Sequence, residues 1–152
     1  MDEITLQWEG PFTGLELRQN IIGIHPDDLL KNLKYSCLYW PGVYVFHDEK
    51  RVLYVGQANK SRGAPLRGRL KQHVNNETAF SKRLRENNIE VSNLSVIVAP
   101  FNEEPDYRLE KISLIENVIM CPCKPPGHLD ENLRIINLGN HGPLPKRIEI
   151  IF

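Results

Sequence analysis

The sequence predicts an α/β (α+β) domain: a small, mainly antiparallel sheet flanked by helices. Two short β-type runs, Val43–Phe46 and Val52–Val55, lie on either side of a polar turn, His47-Asp48-Glu49-Lys50-Arg51, and each run carries a tyrosine. A third run, Leu94–Ala99, is nearly all apolar and reads as the most buried strand of the chain. Between and beyond these runs, the segments Pro65–Val74, Thr78–Asn88 and Tyr107–Met120 carry apolar residues at helical spacing. With 152 residues, 41% apolar and 25% charged, the chain is bounded to one ordinary soluble globular domain with a core of its own.

The elements follow in order. Residues 1–24 mix short apolar runs (Ile4–Trp8, Leu15–Leu17, Ile21–Ile24) with turn formers at Gly10-Pro11 and Gly14, which predicts one or two short strands added to the main sheet or covering it. His25-Pro26-Asp27-Asp28 before Leu29, Leu30 and Leu33 predicts a helix start, with acids favouring the N-terminal dipole. In the hairpin, a loop of three or five residues would set Tyr44 directly opposite Tyr54 on one face, whereas two or four residues would break that alignment. His47 is expected to be a solvated residue of the hairpin tip. After the second strand, Gly56 is expected to open a loop rich in Asn, Lys, Ser, Arg and Gly, and Pro65 suits the first turn of the next helix. On that helix Leu66, Leu70 and Val74 form the apolar stripe, while Arg69 and His73, four apart, share the flank beside it.

Asn75-Asn76 predicts a break before the second helix, on which Phe80 and Leu84 face inward and Lys82, Arg83 and Arg85 largely outward. In Tyr107–Met120 the buried side comprises Leu109, Ile112, Ile115 and Ile119, and at about 100° per residue Glu116 falls within that apolar sector. A carboxylate there is costly unless a metal ion or an arginine satisfies it, the latter being an ordinary structural ion pair. Three prolines end that helix, and Leu133–Leu138 and Ile148–Phe152 follow as late strands or edge segments. Cys121, Cys123, His128 and His141 are zinc-type ligands, but their spacing matches no usual finger, and buried thiols near a proline turn are expected instead.

The zero net charge argues against a uniformly basic nucleic-acid binder but hides an asymmetry. From Lys50 to Asn88 there are ten Lys/Arg against two Glu, and the flanking segments carry the compensating acids. A phosphate backbone would lie along that block, with Lys60, Arg62, Arg67, Lys71, Lys82, Arg83 and Arg85 as its contacts; for Lys82, Arg83 and Arg85 the equal alternative is that they only solvate a surface. Three cysteines give no even disulfide framework, no apolar run approaches a membrane span, and Met1-Asp2-Glu3 starts no signal peptide. A cytoplasmic protein without membrane contact is the expectation.

Gly42-Val43-Tyr44, then Tyr54-Val55-Gly56, then Arg69-xxx-His73, then Glu116 in Ser-Leu-Ile-Glu-Asn together resemble the GIY-YIG nuclease family over roughly residues 41–140. The resemblance implies a GIY-YIG-like nuclease domain at 41–152, with residues 1–40 as an N-terminal extension packed on it. It implies an endonuclease that hydrolyses DNA phosphodiesters with one Mg²⁺ (or Mn²⁺) ion, and catalytic positions at Tyr44, Tyr54, Arg69, His73, Glu116 and Asn132. Implied roles are the first tyrosine near the nucleophilic water, the second tyrosine and the arginine at the phosphate, the histidine assisting, and the metal on the glutamate. The chemistry of these residue types is consistent with that. A guanidinium binds non-bridging oxygens in a bidentate fork, and a cation and a metal beside Tyr44 would lower its pKa from near 10. Two departures stand out. The loop before Arg69 is longer than in compact members, so Arg67 competes for its role, and His128 stands where an asparagine is usual, leaving Asn132 as the choice over Asn137 and Asn140. Restriction, repair, mobile-element and toxin roles all fit. The rivals are a catalytically silent nucleic-acid-binding module on the same fold and a protein-interaction domain whose acidic flanks bind a basic partner.

Overall fold

A computed structural model describes residues 3–21, 23–49, 52–59, 63–101 and 147–151. Strand β1 (Glu3–Gln7) pairs antiparallel with β6 (Arg147–Ile151) in a two-stranded sheet. The main sheet is four-stranded and wholly antiparallel, in the order β2 (Glu9–Thr13), β5 (Ser95–Pro100), β3 (Gly42–His47), β4 (Val52–Ala58). Among the described residues three helices accompany it: α1 (Gly14–Asn20), α2 (Pro65–Val74) and α3 (Ala79–Glu86). The chain is thus mixed α/β with a small antiparallel sheet. Among the described residues no helix is long and apolar enough to cross a membrane. The predicted helix Tyr107–Met120, Glu116, the cysteine–proline tail with Asn132, and Lys60 and Arg62 lie outside the described residues.

Residues before Pro41 are built into the main body. They supply the edge strand β2, and Leu17, Ile21, Leu29 and Leu38 lie in the same buried cluster as Tyr44, Leu66 and Phe80. Leu15–Leu17, one of the apolar runs of the segment expected to form one or two short strands, is helical instead. Thr13 and Glu16 form a capping box: Glu16 N–H donates to Thr13 Oγ1 at 3.0 Å, and Thr13 N–H donates to Glu16 Oε1 at 2.8 Å. That reciprocal pair satisfies two backbone donors at a helix start and outweighs the short apolar run. The predicted helix start at His25-Pro26 is a single 3₁₀ segment, Pro26–Lys31.

The most buried strand is β3 rather than Leu94–Ala99: Gly42 to Phe46 are all buried, while Ser95 and Ile97 of β5 are half-exposed. Position explains it, since β3 is paired on both sides by β4 and β5 and is covered by α2. His47 is the last residue of β3 rather than a loop tip, half-buried, with Nδ1 3.0 Å from the Asp48 carbonyl oxygen. Helix α2 begins at Pro65, where the missing N–H is harmless, and the Leu66 N–H donates to Trp40 O at 3.2 Å, tying the helix start to the entry of β3. It ends at the predicted break, where Asn76 takes a left-handed φ of 60°.

Candidate active site

The register of the hairpin decides where the two tyrosines go. Strands β3 and β4 leave residues 48–51 as a four-residue connection, which by simple alternation would turn Tyr44 and Tyr54 to opposite faces. An irregularity restores the match: His47 pairs with Val52 but Phe46 pairs with Tyr54, so Leu53 is the extra residue of a bulge. Tyr44 then faces Gly56, not Tyr54, and the phenols are diagonal neighbours on one face with ring centroids 6.0 Å apart. Four residues separate the strands, the length expected to break the direct alignment; the shared face survives because of the bulge. Gly56 lies inside β4 and opens no loop. A Cβ there would meet Cζ and Oη of Tyr44 at 2.5 Å, so only glycine lets the ring cross the neighbouring strand.

Helix α2 brings His73 onto this face. The imidazole is wholly buried among Tyr44, Phe46, Tyr54 and Phe80, with centroid separations of 5.3–5.5 Å. Tyr54 and Phe80 stack at 4.3 Å and close one wall of this box. Both ring nitrogens are engaged: Nε2 lies 2.7 Å from the Tyr44 hydroxyl, and Nδ1 lies 2.7 Å from Thr78 Oγ1. Burial first, and the nearby Arg69 charge second, push the imidazole pKa down to about 3, so the ring is neutral at ordinary pH.

Arg69 lies one turn before His73, close enough to Tyr44 and, secondarily, Tyr54 to be coupled to them electrostatically. Burial opposes its charge, while Tyr44 and then Tyr54 favour it. Its Nη1 donates to Gln72 Oε1 at 2.8 Å. Arg69 acts on the Tyr44 pKa in the expected, lowering direction, but burial outweighs it. Burial raises it well above the usual phenol value, Tyr54 adds to the rise, and Arg69 opposes only in part.

Arg67 has a different job from Arg69. Its Nε donates to Ile24 O at 2.9 Å and its Nη2 to Ile21 O at 3.4 Å, which engages the guanidinium with carbonyls just beyond α1. Between the two, Arg69 is the residue at the phenols. Lys71 is half-buried on α2; Lys82 and Arg85 are exposed on α3, and Arg83 lies 3.8 Å from Glu86. A pocket of about 370 Å³ opens beside Arg69, lined also by Gln57, Asn59, Gly63 and Gln72.

Sequence reasoning missed Thr78, Ser81 and Phe46 as part of this site. Thr78 was legible only as a helix start, in the pattern Thr-x-x-Ser; nothing along the chain signals that its hydroxyl also reaches back to His73. Among the described residues no group of three or more His, Cys, Asp or Glu is placed to hold a metal ion. No protein-family model, curated protein or solved structure matches the chain.

Proposed function

We propose that the chain is a GIY-YIG-type endonuclease that hydrolyses phosphodiester bonds in DNA with one divalent metal ion in the cytoplasm. The observation that carries this reading is the convergence of Tyr44, Tyr54, Arg69 and His73, from two strands and a helix, next to a pocket that Arg69 lines. Arg69 bears only donors and grips the non-bridging phosphate oxygens, with Tyr54 beside it. The Tyr44 oxygen, held by His73, positions the attacking water. Phenols, a guanidinium and an imidazole with both nitrogens engaged offer no carboxylate to a hard cation, so the reading assigns Mg²⁺ or Mn²⁺ to Glu116, with Asn132 as a positioning contact. The bound ion supplies polarisation of the phosphate and stabilisation of the leaving oxygen.

The test is incubation of the purified protein with supercoiled plasmid and with branched DNA, in Mg²⁺ and in EDTA. Nicking that requires Mg²⁺, lost in Glu116→Gln while DNA binding persists, is the expected result. A wild-type protein that binds DNA and never cleaves it sinks the proposal.

One observation favours a second reading, a catalytically silent nucleic-acid-binding module. Tyr44 and His73 are wholly buried and satisfy each other, as a structural core pair would. Under that reading Tyr44→Phe leaves DNA affinity unchanged and loses only stability, about 1–3 kcal/mol from the orphaned imidazole nitrogen.

A further inference from the structure

The Thr78 hydroxyl does two things at once. As the N-cap of α3, Thr78 Oγ1 accepts from the Ser81 N–H at 3.2 Å, and it also lies 2.7 Å from His73 Nδ1 and 3.0 Å from Ser81 Oγ. The hydroxyl of Ser81, itself buried, accepts from Thr78 N–H at 3.1 Å and donates to Thr78 O at 2.9 Å. With the Ser81 proton on that carbonyl, the Thr78 proton has two acceptors in reach, Ser81 Oγ at 3.0 Å and His73 Nδ1 at 2.7 Å. When it fills the Ser81 contact, both hydroxyls are satisfied, and His73 Nδ1 carries hydrogen and donates to Thr78 Oγ1, which leaves Nε2 bare. At the other end, the Arg69 guanidinium near Tyr44 carries donors only and makes no claim on the phenol proton, which is free to point at Nε2.

We infer that Thr78 and Ser81 are positioning residues that lock His73 as the Nδ1–H tautomer, so that His73 Nε2 accepts the Tyr44 proton and the Tyr44 oxygen keeps its lone pairs for Arg69 and the substrate side. Every donor then has an acceptor along one directed chain: Tyr44 to His73, to Thr78, to Ser81, to the Thr78 carbonyl. No group need ionise for the chain to hold. In the opposite tautomer, the Nε2–H would point at the Tyr44 oxygen and occupy a lone pair that a water proton would otherwise meet. The role in catalysis rests on the nuclease reading; the tautomer does not.

The experiment is a long-range proton–nitrogen spectrum of protein labelled with ¹⁵N-histidine, on the wild type, Ser81→Ala, Thr78→Val and Thr78→Ser. Free histidine favours the Nε2–H form, so an Nδ1–H ring at position 73 in the wild type is diagnostic. Ser81→Ala keeps the Thr78 cap but takes away the acceptor of its hydroxyl. The Thr78 proton then turns to Nδ1, and the ring is expected to switch to Nε2–H. Thr78→Ser is expected to keep the wild-type ring signature. Should Thr78→Val fail to fold, Ser81→Ala and Thr78→Ser still decide. A wild-type Nε2–H ring, or a ring unchanged in Ser81→Ala, overturns the inference. Cleavage is followed in parallel: a drop of at least about tenfold in Ser81→Ala is expected, in line with other sites that lose their tautomer. If the wild type cleaves no DNA, the nuclease reading fails, and the spectra judge the tautomer by themselves.

Discussion

Tyr44 lies across Gly56, its direct partner on the neighbouring strand, so closely that an added methyl would sit 2.5 Å from Cζ and Oη of the ring. This one contact sets where the hydroxyl ends and hence the 2.7 Å approach to His73. Gly56→Ala should therefore be worse than an ordinary strand substitution. Forcing a methyl into a packed core costs about 1–3 kcal/mol, and here the ring cannot move without leaving His73. The expected outcome is a destabilised variant with altered near-ultraviolet circular dichroism. An unchanged denaturation midpoint would show that the ring yields freely.

His73 makes stability depend on acidity. Its folded pKa, about 3, lies below its ordinary 6.5, because burial and then Arg69 disfavour the charged ring. On acidification the unfolded chain takes up the proton first, so this contribution is full above pH 6.5 and is lost as pH falls toward 3. Integrated over pH 7 to 5, the loss is about 2 kcal/mol. Denaturant unfolding of the wild type and of His73→Gln at both pH values checks it: the variant, weaker at pH 7, should lack this part of the slope. Equal slopes would mean that His73 is not the group responsible.

The hairpin and the two helices after it could be read from the sequence because each rests on a local pattern: alternation with tyrosines in the strands, Pro65 and a Leu66–Leu70–Val74 stripe, and Phe80 and Leu84 behind Thr78. The pairing of Tyr44 was not legible. A bulge at Leu53 shifts the register by one residue, and a bulge depends on how the sheet twists and packs. Helix α1 was missed although Thr13-x-x-Glu16 is a capping signature, since the short apolar-rich run Leu15–Leu17 is equally compatible with a strand. Burial of Tyr44 beyond the reach of Arg69's counter-effect is a tertiary quantity, so the direction of its pKa shift could not be had from residue types.

Arg67 and Arg69 are two positions apart, yet their side chains serve different parts of the molecule, and their variants should separate. Arg67→Gln breaks charge-assisted hydrogen bonds to Ile21 and Ile24 and should cost about 1–3 kcal/mol of stability. Its folded fraction should retain cleavage. Arg69→Lys keeps the charge but loses the planar fork at Tyr44 and Tyr54, and should lose on the order of 2–4 kcal/mol of transition-state stabilisation at little cost in stability. Melting curves and nicking rates on both variants give the comparison. The reverse pattern would exchange the two roles.

Helix α3 joins the site to the basic surface, because the residue that caps it, Thr78, also holds His73, while Lys82, Arg83 and Arg85 project from later turns. If those three neutralise phosphates, replacing them with Gln should weaken DNA binding and reduce the slope of log affinity against log salt by up to about 0.9 for each phosphate no longer neutralised. Arg83 is a special case, since Glu86 lies 3.8 Å from its guanidinium and competes with phosphate for it. The partner carboxylate is exposed, so the pair itself adds little stability. Glu86→Gln should then raise DNA affinity with no loss in melting temperature, and the gain should vanish when Arg83 is also Gln. Fluorescence anisotropy titrations at several salt concentrations measure both effects. A salt slope unchanged in the triple variant would remove α3 from the footprint, and a gain from Glu86→Gln that survives without Arg83 would be general charge removal rather than release of that arginine.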